Sequence, residues 1–476
     1  MKNILLIEPG YKNKYPPLGL MKISTFHKQK SHNVVFYKGY SAELRNQLWD
    51  RVYISTLFTF YWDITIKTIK YYYNSVEHPS NIFVGGVMAT LMKDEIQNEV
   101  NVTIVDGLLN QKGKLGYKDD DKIDDILPDY SIVDQESNPL LDYSYPTSDS
   151  YIAYATRGCI RKCQFCAVPI IEPAFTNSLS IAKQVRAIKN RFGEKRHLLL
   201  LDNNILASED FPKIIVEIKS LGYKKGSKYL PKTSHRKVYL ERHVDFNQGI
   251  DARLLTKEKM ELLSEIAVDP LRIAFDNIKY KNIYIEKTRL AAEYGIRTLS
   301  NYILFNFRDT PEDFYERLKI NIELNEEFSK NGFKCLIWSF PMKYSPITGE
   351  FSKNRKYVGE HWNKKFLRGI QCILLATHGV VGHKRQFFEK AFGKDVNEFK
   401  KILTLPENFI IHRKRHSENG DTDELEAKVS LLNQQQKHDL MRIVLSNDFK
   451  NVTNHTDDKS VLDILKIYRQ DKTARS

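Results

Sequence analysis

Cysteine is scarce in this chain: five among 476 residues, and none before position 159. That poverty excludes a secreted scaffold built on disulfides. Long apolar runs are missing too, since no stretch of 18 apolar residues occurs, so nothing reads as a membrane-spanning helix. The opening MKNILLIEPG is too short, and too soon broken by Pro and Gly, for a secretory leader. The expectation is a soluble, cytoplasmic protein with no membrane partner. No internal repeat is evident. Hydrophobic residues make up 42% and charged residues 28%, which suits a globular chain of two or three domains.

Acidic side chains are fewer than basic ones, leaving a net charge of +14. An excess of this size attracts anionic partners: nucleic acid, a phosphorylated metabolite or an acidic electron carrier. A chain rich in Lys, Asn, Ile, Tyr and Phe throughout explains the excess equally well, so charge alone selects none of them. The densest basic stretch, GYKKGSKYLPKTSHRK at 222–237, carries six Lys or Arg, two Tyr and no acid. Such a loop suits phosphate contacts and base stacking, and equally a solvated insertion. HRKRH at 412–416 is a second basic run.

What is present falls into regions. Over 1–107, NILLIEP (3–9), NVVFYKG (33–39), RVYISTLF (51–58), NIFVGG (81–86) and NVTIVDG (101–107) read as strands, short and rich in β-branched or aromatic residues. Helical spacing between them, as in 63–76, predicts a Rossmann-like doubly wound parallel sheet. Ligands of such sheets lie at the carboxyl ends of the strands, where Gly10, Ser55 and Gly85–Gly86 fall. Residues 108–150 are polar and turn-rich and read as a linker. Over 151–340, six strands alternate with helices, which predicts a (βα)6 partial TIM barrel with its chemistry at the C-terminal strand ends. Its last helix has a start signal in Thr310, Pro311, Glu312 and Asp313. Residues 341–476 suggest two helices near 368–382 and 385–393, then beyond Leu405 a solvated helix and a flexible polar tail.

The stretch RGCIRKCQFCAVP places Cys159, Cys163 and Cys166 within eight positions, directly after the first strand of the second region. A Cys-x3-Cys-x2-Cys loop can bind three irons of a [4Fe–4S] cube and leave the fourth with an open coordination site. Zinc is the competing metal, but no fourth Cys or His lies within ten residues of the trio. The remaining pair, Cys335 and Cys372, read as buried apolar positions.

This loop, with Phe165 before its last cysteine, resembles the signature of the radical S-adenosylmethionine superfamily, whose core is also a six-stranded partial barrel. The resemblance implies that the amino and carboxylate groups of S-adenosylmethionine complete the coordination, and that a 5′-deoxyadenosyl radical forms on reduction. It further implies cosubstrate contacts from the turn after the second strand, here LLLLDNN, with Asp202 and Asn203 facing the methionyl ammonium. In DFNQGIDARLL it implies Asn247 and Gln248 for the ribose hydroxyls and Arg253 for the methionyl carboxylate. A flavodoxin- or ferredoxin-like electron donor is implied as partner.

The first region resembles the cobalamin-binding domain fused to one branch of that superfamily, through YPPLGLMKIS (15–24), Ser55-x-Leu57 and Gly85–Gly86. In that fold the serine and the diglycine let a nucleotide tail run close to the backbone. The His that supplies a lower cobalt ligand is absent, because the first loop reads EPGYKNKYPP. Methylthiotransferases of related branches carry extra cysteines before the barrel; none is present here. Three functions stay open: a cobalamin-type methyltransferase acting on an unactivated carbon, a cobalamin-independent radical enzyme modifying a nucleic acid or metabolite, and a non-catalytic zinc or cluster protein binding nucleic acid.

Overall fold

The computed structural model describes residues 1–120, 123–177, 179–231, 238–450 and 452–469. Positions 232–237 of the basic stretch and the tail 470–476 lie outside the described residues. The chain divides into two compact units, Met1–Arg272 with Ser345–Tyr357, and Ile273–Tyr344 with Val358–Ser476. Among the described residues no helix is long and apolar enough to cross a membrane.

The first unit opens with five parallel strands: β1 (Asn3–Glu8), β2 (Asn33–Lys38), β3 (Arg51–Thr56), β4 (Ile82–Gly86) and β5 (Thr103–Val105). They lie in the order β2-β1-β3-β4-β5, the doubly wound arrangement in which the chain reverses its direction of travel beside β1. All five fall where the apolar runs predict them. Leu5, Ile7, Val52, Ile54 and Val84 from the central strands bury against Ile66 and Ile69 of the helix Trp62–Tyr71 and against Met88 and Ile96. Each such side chain contributes on the order of 1.5–3 kcal/mol by leaving water. The diglycine at the end of β4 is required by the sheet itself. A Cβ on Gly86, whose φ is +109°, would stand 2.3 Å from the Thr56 carbonyl oxygen, and one on Gly85 would stand 3.3 Å from that of Val105.

Residues 108–150 carry little regular structure, yet Leu115, Ile123, Tyr130, Ile132, Val133 and Leu141 are buried. This segment lies along the helix Leu18–Gln29, where Asp129 accepts a hydrogen bond from Ser24 at 2.7 Å. Tyr130 also accepts from the Ile152 amide at 2.9 Å, tying the segment to the next strand.

That strand, β6 (Ser150–Ala153), is followed by the short β7 (Thr156–Arg157) and β8 (Thr176–Asn177), then β9 (His197–Leu200). The strand β10 (Lys228–Tyr229), within the basic stretch, pairs antiparallel with β11 (Leu240–Glu241), which follows it. Strand β12 (Val244–Phe246) completes a parallel sheet in the order β12-β9-β6. Beyond it, the apolar run LRIAFD (271–276), one of the six strands read from the sequence over 151–340, forms only β13, Leu271–Arg272. The reason is visible at its end: the carbonyls of Phe275 and Asp276 both accept from the buried Arg317 guanidinium, each at 3.1 Å, in place of a strand partner.

The second unit pairs β14 (Thr298–Phe305) with β15 (Leu336–Lys343) in parallel along their full length. The helix Pro311–Lys330 joins them and starts with a complete capping box between Thr310 and Asp313, as its sequence predicts. The C-terminal region differs from expectation beyond Leu405. Leu425, Leu440, Ile443, Val444, Val461, Ile464 and Leu465 are buried with Phe388, Phe392 and Phe399 in one core. Their spacing puts narrow apolar stripes on otherwise polar helices, enough to pack each on its neighbours while overall composition stays hydrophilic.

Candidate cofactor site

The cysteine loop begins just past the carboxyl end of β6 and is closed at its base. Thr156 pairs with Asn177 and Arg157 with Thr176, antiparallel, so the chain leaves and returns at one place. Gly158 follows with φ +72°, and a Cβ there would sit 2.2 Å from the Ala174 carbonyl oxygen. Only glycine fits. Its amide donates to Glu172 Oε2 at 2.6 Å, and Asn203 Nδ2 donates to the same oxygen at 2.9 Å. Arg157 bridges Asp124 at 3.1 Å and Glu172 at 3.5 Å.

Asp202 fixes the other side of the base. It is only 3% exposed. Its Oδ1 accepts from the Thr156 amide and hydroxyl, both at 2.6 Å, and from the Ala155 amide at 3.0 Å. Burial pushes its carboxyl up to about 6, the hydrogen bonds only partly opposing this. Its hydrogen-bonding capacity is therefore largely spent on the turn before the cysteines.

Cys159, Cys163 and Cys166 are partly buried, and none forms a disulfide. Cys159 Sγ accepts from the Arg161 amide at 3.3 Å and from Asn204 Nδ2 at 3.4 Å. The Cys166 amide donates to the Cys163 carbonyl at 3.1 Å. Among the described residues no three His, Cys, Asp or Glu side chains are gathered closely enough to hold a metal ion. The donor set nonetheless suits a thiolate-held cluster: three cysteines on one anchored loop, with two N–H groups directed at the first sulfur. Cys335 and Cys372 are buried in the second unit, as their sequence setting predicts.

Asn247 follows β12, is buried, and donates through Nδ2 to the Tyr15 hydroxyl. Its Oδ1 accepts from Nε2 of the exposed Gln248 at 3.0 Å. Arg253 meets Asp251 through Nε at 2.7 Å and Nη2 at 2.9 Å, and Arg161 Nε reaches the same carboxylate at 3.0 Å. Burial would raise the Asp251 carboxyl, but the bonds from Arg253 and Arg161 outweigh it and hold it below its ordinary value. The structure thus ties Asp202, Asn203 and Arg253 to the frame of the cysteine loop. Phe165 lies within that loop, partly buried. Four residues of this frame were not singled out by sequence: Glu172, Asn204, Asp251 and Tyr15. Asn204 and Asp251 stand inside the quoted motifs, and Tyr15 opens YPPLGLMKIS; nothing in the sequence marks Glu172.

A cavity of about 260 Å³ opens at the carboxyl ends of β3, β4 and β5, lined by Ser55, Gly85, Gly86 and Gly107. Leu57 stands outside that lining, its carbonyl accepting from the Met88 amide at 2.9 Å. Lys22, Asp124, Tyr154 and Arg157 form the polar wall. Lys22 pairs with Asp124 at 3.0 Å, and the two cations flank the Tyr154 ring. A second cavity, about 660 Å³, shares Gly107, Leu108, Asp124 and Arg157 with the first and continues to Thr156 and Glu172 at the base of the cysteine loop. At 260 Å³ the first cavity fits a heterocycle or nucleotide fragment, just under the ~300–1,000 Å³ usual for small-molecule pockets.

No protein-family model matches the chain, and no curated protein matches it. Among solved structures it is similar to the radical S-adenosylmethionine methyltransferase TsrM from Kitasatospora setae, with tryptophan substrate and a cosubstrate analogue bound. The TM-score is 0.48 at 12% identity, covering 78% of this chain and 76% of that one. It is also similar to Streptococcus suis SuiB bound to S-adenosylmethionine, with a TM-score of 0.32 at 14% identity over 48% of this chain and 47% of that one. SuiB bound to the precursor peptide SuiA gives 0.32 at 15% identity over 49% and 48%.

Proposed function

We propose that this chain is a radical S-adenosylmethionine enzyme of the branch with a cobalamin-binding-like N-terminal domain. The observation that carries the proposal is the anchored Cys-x3-Cys-x2-Cys loop at the carboxyl end of a parallel sheet, with N–H donors directed at Cys159. In this reading residues 1–107 form the cobalamin-type domain, 108–150 the linker, 151–340 the partial-barrel core and 341–476 a helical C-terminal region. Cys159, Cys163 and Cys166 hold a [4Fe–4S] cluster. When bound, cluster and cosubstrate supply reductive cleavage of the sulfonium and a 5′-deoxyadenosyl radical.

The chain's own residues bind and orient. Glu172, Asp202 and Asp251 hold the loop that presents the sulfurs. Asp202 is engaged with the Ala155–Thr156 turn, so the acceptor for the methionyl ammonium falls to Asn204 Oδ1, buried beside Cys159 with no partner. Asn203 supports it through Glu172. Asn247 and Gln248 serve the ribose, and Arg253, shared with Asp251, the methionyl carboxylate. The electron comes from a flavodoxin- or ferredoxin-like donor.

The reaction that follows is most simply methyl transfer to an unactivated carbon. What supports it is the glycine-lined cavity of the N-terminal sheet, whose Ser55, Gly85 and Gly86 would take the nucleotide tail of a cobalamin. Cobalt would have no histidine from the first loop. Cobalamin-independent modification of a nucleic acid or metabolite is the alternative, supported by the basic stretch around β10 and β11. Anaerobic reconstitution with iron and sulfide, then S-adenosylmethionine and a strong reductant, tests the core of the proposal. 5′-Deoxyadenosine that disappears in Cys163→Ala is the expected result. A colourless protein carrying one zinc overturns it in favour of a binding module, and added cobalamin tests the methyl-transfer branch.

A further inference from the structure

We infer that Asn204 is a positioning residue for the iron–sulfur centre, its Nδ2–H donating to the Cys159 sulfur and raising the reduction potential of the cluster. This rests on the cluster assignment above and adds the residue that tunes it. Asn204 comes just after β9 and begins the 3-10 turn Ile205–Ala207, whose Ala207 amide donates back to the Asn204 carbonyl at 3.1 Å. Ile205 and Leu206 beside it are fully buried, so the side chain has a fixed origin. Asn204 is itself only 3% exposed, with Nδ2 3.4 Å from Cys159 Sγ and Oδ1 buried without a partner.

Leaving a buried carbonyl unpaired costs about 1–3 kcal/mol. A cost of that kind persists in a fold where the group is held for a task. The chemistry of the sulfur decides which end of the amide faces it, because a cluster-ligating thiolate only accepts hydrogen bonds. Its second donor is the Arg161 amide at 3.3 Å. Negative charge on the sulfurs grows when the cluster takes up an electron. N–H donors at the sulfur therefore stabilise the reduced form more than the oxidised one and raise the potential.

The test is the midpoint potential of the reconstituted cluster, read by EPR-monitored redox titration without S-adenosylmethionine. Wild type is compared with Asn204→Ala and Asn204→Asp, with iron and sulfide content measured for each. Both variants should load iron and shift to more negative potential, the Asp variant further because it adds an acceptor charge. Loaded variants at the wild-type potential overturn the inference and leave the cluster assignment standing. Should the variants not load, wild-type protein labelled with side-chain-¹⁵N asparagine decides. Pulsed EPR of the reduced cluster should show an amide ¹⁵N coupling, since Asn203 Nδ2 is committed to Glu172, and its absence overturns the inference. A wild type that assembles no cluster overturns both this and the proposed function.

Discussion

Asp202 holds Thr156 twice, one carboxylate oxygen accepting from both its amide and its hydroxyl at 2.6 Å. Strand β9 thereby grips the turn that launches the cysteine loop. The grip has a pH signature. Burial raises the Asp202 carboxyl from the ordinary 3.8 to about 6, so between those values the native form binds a proton that the unfolded chain has released. Stability is then fully present below about 4 and falls as pH rises through about 6, by on the order of 3 kcal/mol from this group. Asp202→Asn keeps an acceptor for Thr156 without the ionisation. Denaturant unfolding of the apoprotein at pH 4, 5, 6 and 7 should show a flatter profile for this variant, and parallel profiles would refute the assignment.

The loop base has no room for a side chain at Gly158. Gly158→Ala meets both a positive φ and the Ala174 carbonyl at 2.2 Å. The left-handed conformation alone costs about 1–2 kcal/mol, and the clash adds to it. The variant should bind markedly less iron on reconstitution than wild type, while far-UV circular dichroism changes little. Normal iron content would mean that the loop tolerates a different path.

The five thiols should separate into two reactivity classes. Burial pushes the Cys335 thiol up to about 12, and Cys372 is fully buried. Iodoacetamide on native apoprotein at pH 8 should label Cys159, Cys163 and Cys166 and spare the other two until denaturant is added. Peptide mass spectrometry reads this directly, and early labelling of Cys335 would contradict the packing of the second unit.

Asp251 joins Arg161 of the loop to Arg253, and its lowered carboxyl pKa means this pairing stabilises above the ordinary carboxylate value and is lost as pH falls through the lowered one. Asp251→Ala leaves two cations without their shared partner, one of them on the cysteine loop. Alkylation of Cys159 in the apoprotein should accelerate several-fold while Cys335 stays protected. An unchanged rate would show that Arg161 does not restrain the loop.

Much of the fold was legible because local signals agreed with one another. Strands β1 to β5 each form on an apolar run, and all but β3 end at a Gly or Pro stop, while Thr310 with Asp313 caps its helix as written. The cysteine loop could be read because its spacing is short-range. What escaped was long-range pairing. Nothing in the sequence shows that Glu172 turns back to the Gly158 amide, or that Asp251 crosses to Arg161. Asn204 was passed over beside Asp202 and Asn203, because spacing does not tell which of three adjacent polar groups is spent on backbone. The C-terminal core was hidden for another reason: stripes such as Leu440, Ile443 and Val444 are thin enough to vanish in a polar average.

The placement of Asp251, ninety positions after Arg161, has a consequence for the order of events during synthesis. A ribosome releases the three cysteines first, then Asp202, and Asp251 and Arg253 only after many further residues have been joined. Until then the loop has Asp202 to set its base but lacks the carboxylate that restrains its Arg161. Its thiols spend that interval on an unfinished nascent chain, open to oxidants and stray metals. Restraint of the loop through Arg161 therefore waits until translation has passed Asp251, and the three thiols are made well before that contact can form.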